Sequence, residues 1–317
     1  MVKRLFAVAF IFCCTSAAWM ILGGTITART GSANERLRGQ VQSIWGAPHN
    51  QVSPSAEYKL PVRYSETVTE NGTKKTIEKT RMDVYSIRPS SSDIAVDLQS
   101  EHRRKGLLWY STYRVAFRGD YVFRNPDPAT QKLQLILPLP AAQAIYDDLQ
   151  FLVNDQPFAP VTEKERAHVN FELASGETVR FQVAYRSQGL ESWMYSFGKD
   201  VNPVENFHLR MTTNFKDIDF PDNTLAPAAK REIPGGWQLD WDYKNLISGY
   251  SIAMTLPEKL QPGPLASEIS FFAPVSLFFF FFLIFIITTM RNIDLHPMNY
   301  FFLGAAFFAF HLLLAYL

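Results

Sequence analysis

Histidines, two cysteines and a few carboxylates are the side chains best suited to chemistry in this 317-residue sequence. His49, His102, His168 and His208 lie in the long stretch between apolar segments, too far apart for one strand or one helix turn to present two of them. A metal centre would therefore have to be assembled across the fold. Asp147 and Asp148 are adjacent. Adjacent side chains diverge on a helix or a strand, which suits solvated or capping carboxylates better than an acid–base pair. Asp83, Asp97, Asp240 and Asp242 would serve an exported hydrolase acting on envelope polysaccharide only if folding set two of them about 5 to 9 Å apart. Cys13 and Cys14 sit inside an apolar run where helical neighbours cannot bridge each other, and no second pair completes a metal site. The sequence has no nucleophile elbow, no zinc-protease helix motif and no glycine-rich phosphate loop. No catalytic, cofactor or metal site is expected.

Other residues carry a weaker signal. His311 is the one ionisable side chain inside the apolar spans, which makes it a functional candidate by default. A helix-contact hydrogen bond is as good a reading for it as a proton or ion path. Arg103-Arg104-Lys105 is a short basic run that reads as a solvated turn. Asn71-Gly72-Thr73 fits a glycosylation acceptor, but a tight turn explains it without modification. Trp237 and Trp241 share one face of an alternating segment and read as sandwich core ahead of a recognition surface.

The elements that must hold these residues follow from the distribution of apolar side chains. Half of the 26 phenylalanines lie after Ser270. Leu5 to Ile26 is a charge-free run of 22 residues, and Phe271 to Met290 and Met298 to Leu317 are runs of 20. At about 1.5 Å of rise per residue each crosses a hydrocarbon core of roughly 30 Å. A cleaved signal peptide competes for the first run, but the apolar stretch continues through Trp19-Met20-Ile21-Leu22, past the small residues at Thr15 to Ala18. Pro274 is expected in the first turn of the second span. The short link from Arg291 to Pro297 predicts an antiparallel hairpin. Lys3, Arg4 and Arg291 predict a cytoplasmic N-terminus and a cytoplasmic turn, while Arg29, Arg36 and Arg38 oppose this from within a long segment where charge counts for little.

Ser32 to Glu35 has capping-box spacing and precedes Leu37, Val41, Ile44 and Trp45 at helical intervals, which predicts a separate short amphipathic helix. From Tyr58 onward alternating segments separated by turn residues predict strands, with a hairpin about Asn71-Gly72, and Ala141 to Leu152 is the one helical candidate among them. Pro257 to Pro264 reads as a boundary. The expected organisation is an N-terminal transmembrane helix (1–27), a membrane-proximal segment (28–56), an extracytoplasmic β-rich domain (57–265), and two transmembrane helices (271–290 and 298–317) joined by a cytoplasmic turn (291–297). The fold class is thus a membrane protein with a mainly-β, sandwich-like or extended domain between its spans. With 28 Lys and Arg against 29 Asp and Glu between Thr27 and Ser270, the domain has no charge excess for nucleic acid. The expected partners are the lipid bilayer and a periplasmic or membrane protein.

Three stretches resemble the CreD family of bacterial inner-membrane proteins. Leu295-His296-Pro297-Met298-Asn299-Tyr300, followed by Leu303-Gly304, is similar to that family's Leu-His-Pro-x-Gln-Tyr and Leu-x-Gly pattern. Trp45-Gly46-Ala47-Pro48 resembles its lead into the first strand, and Leu225 to Lys230 and Arg231, then Gly236, Trp237 and Trp241, resembles its segment before the last strands. Departures are His49 for Gln, Ser53 for Gly, Asn299 for Gln, Thr288 for an acidic residue and His311 for an aromatic one. The family continues into more membrane helices, so the chain reads as shortened at its C-terminus. The resemblance implies an inner-membrane protein tied to envelope integrity, colicin tolerance and stress regulons, without established catalysis. A transport component using His311 and Thr288, and an exported envelope-modifying enzyme, are the rival expectations.

Overall fold

The computed structural model describes residues 2–70, 73–142, 144–198 and 201–315. In chain order the elements are α1 (Val2–Trp45), β1 (His49–Val52), β2 (Ser55–Glu70), β3 (Thr73–Ile87), β4 (Ser91–Lys105), β5 (Leu108–Arg124), β6 (Gln131–Pro138), β7 (Tyr146–Val153), β8 (Gln156–Phe158), β9 (Val161–Glu163), β10 (Arg166–Leu173), β11 (Thr178–Leu190), β12 (Ser192–Ser196), β13 (Asn202–Thr213), β14 (Ala229–Ile233), β15 (Gly236–Ser248), β16 (Ile252–Thr255), α2 (Pro262–Met290) and α3 (Pro297–Leu314). They fall into two compact units, a helical one of Met1–Gln40, Arg104–Trp109 and Lys259–Leu317, and a β one of Val41–Arg103 and Tyr110–Glu258.

In the helical unit, all three helices are long and apolar enough to cross a membrane. Without a hydrophobic drive between helices in lipid, close approach of backbones and hydroxyl contacts must hold them together. A Cβ built on Gly23 would meet the Phe271 ring at 2.9 Å, and one on Gly304 would meet Thr15 at 3.2 Å. The Thr27 and Ser267 hydroxyls bond at 2.7 Å, and Ser267 Oγ donates to the Gly23 carbonyl at 3.0 Å. Two expectations are corrected here. The helix does not restart at Ser32: α1 runs unbroken to Trp45, and the Ser32 hydroxyl bonds back to the Arg29 carbonyl at 3.1 Å instead of capping new N–H groups. Nor is Pro274 in a first turn, because α2 begins at Pro262 and holds Pro274 in its interior. Pro262 and Pro264 take the N-terminal positions where a missing donor costs nothing.

The β unit has sheets of eight (β14-β15-β13-β4-β5-β11-β7-β8), five (β3-β2-β6-β10-β9) and three strands (β1-β12-β16). Alternating side chains of all three sheets meet in one apolar core, among them Ile94, Tyr121, Leu135, Phe181, Trp193 and Trp241. Ala141 to Leu152 is not helical: β7 pairs antiparallel with β11, with a register shift between Ala184 and Arg186. Phe151 and Val153 alternate into the core, so tertiary pairing overrides a marginal helical pattern. β2 and β3 pair over their whole length, from Ala56 opposite Ile87 to Glu70 opposite Thr73, while the turn residues Asn71 and Gly72 lie outside the described residues. Beyond Leu60 this ribbon leaves the core, and Tyr64, Ile77, Met82 and Val84 are exposed on it. Arg103-Arg104-Lys105 is not a free turn: these residues end β4, and Gly106 (φ +61°) turns the chain toward β5.

Candidate functional site

The end of α1 is the first place where family-like residues gather. Gly46, at φ +126°, terminates the helix, and a Cβ on it would lie 2.2 Å from the Gln188 carbonyl oxygen. Only glycine lets the chain pass β11 so closely in this backbone region. Pro48 then leads into β1, which pairs parallel with β12. Trp45 is buried beneath the Arg103 guanidinium, 3.5 Å from its ring centre, and its Nε1 donates to the Tyr113 carbonyl at 3.4 Å. Such stacking holds a cation without a carboxylate partner, although Arg103 also pairs with Glu101 at 3.1 Å.

Directly after this turn lies a buried polar chain. The Tyr113 hydroxyl donates to the Ser192 carbonyl at 2.8 Å and accepts from the His49 amide at 3.3 Å. His49 is 2% exposed, and its Nε2 lies 3.3 Å from Ser187 Oγ. Ser187 has one proton, and it is directed to the Ile145 carbonyl at 2.8 Å. Nε2 must therefore carry the imidazole proton and donate, which leaves Nδ1 bare, and that atom has no partner among the described residues. Burial favours this neutral form and lowers the His49 pKa from 6.5 to about 4. Two residues on along β1, Gln51 accepts from Tyr185 Oη at 2.8 Å and donates to the Pro138 carbonyl at 3.1 Å.

Ser187, though buried, also borders a groove. With Arg186, Arg114, Asp97, Asp147 and Tyr146 it lines an open groove of about 530 Å³ on the eight-stranded sheet. Burial, the largest influence, raises the Tyr146 phenol to about 12, and its hydroxyl bonds both the Ala141 amide and carbonyl at 2.8 Å. Arg186 pairs with both Asp147 and Asp148, so the adjacent carboxylates converge on a shared cation and not on a substrate-sized gap. The groove thus offers both charges and hydrogen-bonding groups on a rigid sheet. Its key members, Arg186, Ser187 and Tyr146, escape a sequence reading because nothing marks one polar position of a long strand as different from the next.

The remaining candidates are distributed. Trp241 is buried in the core, where its Nε1 donates to the Leu225 carbonyl at 2.8 Å. Trp237 is half-buried with the Lys230 ammonium 4.0 Å from its ring centre, and Arg231 is exposed on β14. Asp240 pairs with Arg210 at 3.0 Å, Asp242 with His208 at 2.6 Å and Asp83 with Arg81 at 2.8 Å, while Asp97 accepts from Thr212 at 3.1 Å. His102 bonds the Pro257 carbonyl at 2.8 Å. Among the described residues no three His, Cys, Asp or Glu side chains come together as a metal site would need.

In the helical unit, His296 caps α3 by accepting the Met298 amide at 3.2 Å, and Pro297 occupies the first turn. Leu295 packs on the cluster that contains Tyr300, whose ring meets Phe281 edge-on at 5.1 Å. His311 is buried against Trp19, with centroids 5.7 Å apart, and its Nδ1 lies 3.0 Å from the Phe307 carbonyl of its own helix. It also borders a cavity shared with Glu268, an acid that escapes notice because it precedes the charge-free run. Arg4 reaches the far end of α2: it donates to Thr288 Oγ1 at 3.2 Å and to the Ile293 carbonyl at 3.3 Å, and lies 3.6 Å from Asp294. A cation there complements the helix C-terminus. The Tyr300 hydroxyl is fully buried, with no partner among the described residues. Replacing it with Phe should therefore leave the melting temperature of the full chain unchanged or slightly raised, since an unsatisfied hydroxyl costs about 1–3 kcal/mol. A drop of several degrees would mean that the hydroxyl has a partner beyond these three helices.

One N-terminal and two C-terminal helices able to cross a membrane, with a mainly-β domain between them in the chain, define an integral membrane protein. The family described as inner membrane protein CreD matches residues 1–317, and the chain belongs to that family. No curated protein matches it. Among solved structures, the chain is similar to a Legionella pneumophila protein provisionally described as nutrient-binding, with 11% identity, 60% of this chain and 73% of that chain covered, and a TM-score of 0.37. It is also similar to an M1 zinc metallopeptidase from Deinococcus radiodurans, with 13% identity, 54% and 42% covered, and a TM-score of 0.33. Likenesses this distant bear on neither activity nor ligand.

Proposed function

We propose that this inner-membrane protein acts in the cell envelope by recognition without turnover, with its β-domain in the periplasm. The observation that carries this reading is the double role of Ser187. It lines the polar groove and also bonds His49, which follows the last residue of α1 by four positions. A molecule seated on Arg186 and Tyr146 would thus bear on the strand that leads straight out of the first membrane helix. The orientation is supported by Arg4, whose contacts with Ile293 and Asp294 bring the N-terminus and the α2–α3 turn to one end of the helical unit. Both then carry positive charge on the same side.

A photoreactive phenylalanine analogue introduced at Arg186 tests the groove in living cells, with the same analogue at Lys59 on the five-stranded sheet as control. A discrete cross-linked species from position 186 alone is expected, and identical patterns from both positions would remove the reading. In a Cys13→Ala/Cys14→Ala background, an impermeant maleimide applied to spheroplasts should label Lys244→Cys and spare Asp294→Cys; the reverse result would invert the topology. A transport role is the second reading, favoured by Glu268 and His311 facing one cavity. It requires liposome flux that is lost in His311→Leu.

A further inference from the structure

A second cavity, of about 640 Å³, lies entirely within the helical unit where α1 leaves its apolar run. Its floor is Ile26 of α1 with Leu265, Ala266 and Ile269 of α2, and Leu314 closes it from α3. Arg29 and Arg36, further along α1, line it as well. They are seven positions apart on one helix and so share a face. Among the described residues, the lining contains two guanidiniums and no carboxylate side chain. An apolar trough that continues into paired guanidiniums matches an amphiphile whose anionic head sits at the arginines and whose hydrocarbon lies along the helices.

The surroundings fit the depth at which lipid headgroups lie. Ile26 is the last residue of the charge-free run, and Arg29 follows it by less than one helical turn. Leu107 and Leu108 border the cavity from the β4–β5 turn, and Trp109 next to them is fastened to the start of α2. Gln261 accepts the Trp109 amide at 3.0 Å and donates to its carbonyl at 2.6 Å, while Lys259 lies 4.1 Å from its ring centre. Tryptophan and lysine at such a level are the side chains that anchor proteins at the membrane interface. We infer that this cavity is a binding site for an anionic glycerophospholipid, its phosphate held by Arg29 and Arg36 and an acyl chain laid against Leu265 and Ile269. Arginine suits this task because its planar fork grips phosphate oxygens in pairs.

Native mass spectrometry of the full chain in detergent, titrated with phosphatidylglycerol or with phosphatidylcholine of the same acyl chains, tests the site. Preferential retention of phosphatidylglycerol is expected, and it should fall about fivefold for each guanidinium removed in Arg29→Gln and Arg36→Gln. Both arginines are exposed, so the variants keep the fold. Ile269→Trp, which fills part of the trough, should lower retention of both lipids, with an unchanged melting temperature as the check on folding. Glycerophosphoglycerol, the headgroup without chains, should not displace the bound lipid. The assignment is overturned by equal retention of the two lipids, by a preference that survives the double arginine variant, by unchanged retention in folded Ile269→Trp, or by displacement with the chainless headgroup.

Discussion

Gly46→Ala should lower the melting temperature of the β-domain by roughly 6 to 12 °C, the equivalent of about 3 kcal/mol in a domain of this size. Two independent costs add at this position. Its φ of +126° is one that an L-residue adopts only with strain, and the new methyl would overlap the Gln188 carbonyl oxygen at 2.2 Å. That oxygen belongs to β11, which is paired on both sides and cannot retreat without breaking registers with β5 and β7. Gly176→Ala is the control. It also has positive φ, +73°, but open space surrounds it, so only the backbone term of about 1 kcal/mol remains. Tryptophan fluorescence melts of the full chain in detergent give both numbers. If the two variants melt together, the close passage of Gly46 across β11 is wrong.

The second large effect is acid sensitivity centred on His49. Its folded-state pKa of about 4 lies below the unfolded value of 6.5, because the proton would enter a site closed over by Tyr113, Tyr146 and Ser187. Between these two values the unfolded chain binds a proton that the folded chain refuses. Stability from this group is therefore complete above pH 6.5, declines as pH falls, and is fully lost below about pH 4, a total of about 3 kcal/mol. Acid acts on the rest of the chain as well, so the measurable quantity is the difference between the unaltered chain and His49→Gln. Urea melts at pH 7 and pH 4.5 should show the unaltered chain losing more stability than the variant. Parallel pH profiles would mean that the imidazole is already hydrated.

Much of the architecture is legible in the residues because lipid and sheet impose simple periods. Charge-free runs as long as Leu5 to Ile26 have few other uses, and Tyr113, Val115 and Phe117 alternate inward as their spacing predicts. The failures have definite physical causes. Ser32-x-x-Glu35 has the chemistry of a cap, yet with helix on both sides its hydroxyl can only bond backward. Pro274 became interior because α2 recruits Pro262 to Ser270 as additional helical turns. Tyr146 to Val153 became a strand because β11 presents an edge to pair with. The site was harder still. Trp45, Gly46 and Pro48 are conspicuous residue types, but Ser187 and Arg186 acquire meaning only when β5, β7 and β11 lie side by side. His49 was visible as a histidine, whereas its tautomer depends on where Ser187 sends a single proton.

The β2–β3 ribbon has a practical corollary. Its outer half keeps ladder hydrogen bonds but has no apolar body beneath it, so the energy that opens it is small and separate from the energy that melts the sandwich. Amide protons there should exchange long before those of β5 or β11, and a protease should nick the arm while the remainder stays intact. An affinity tag or a shortened loop placed in that arm would leave the body of the protein undisturbed.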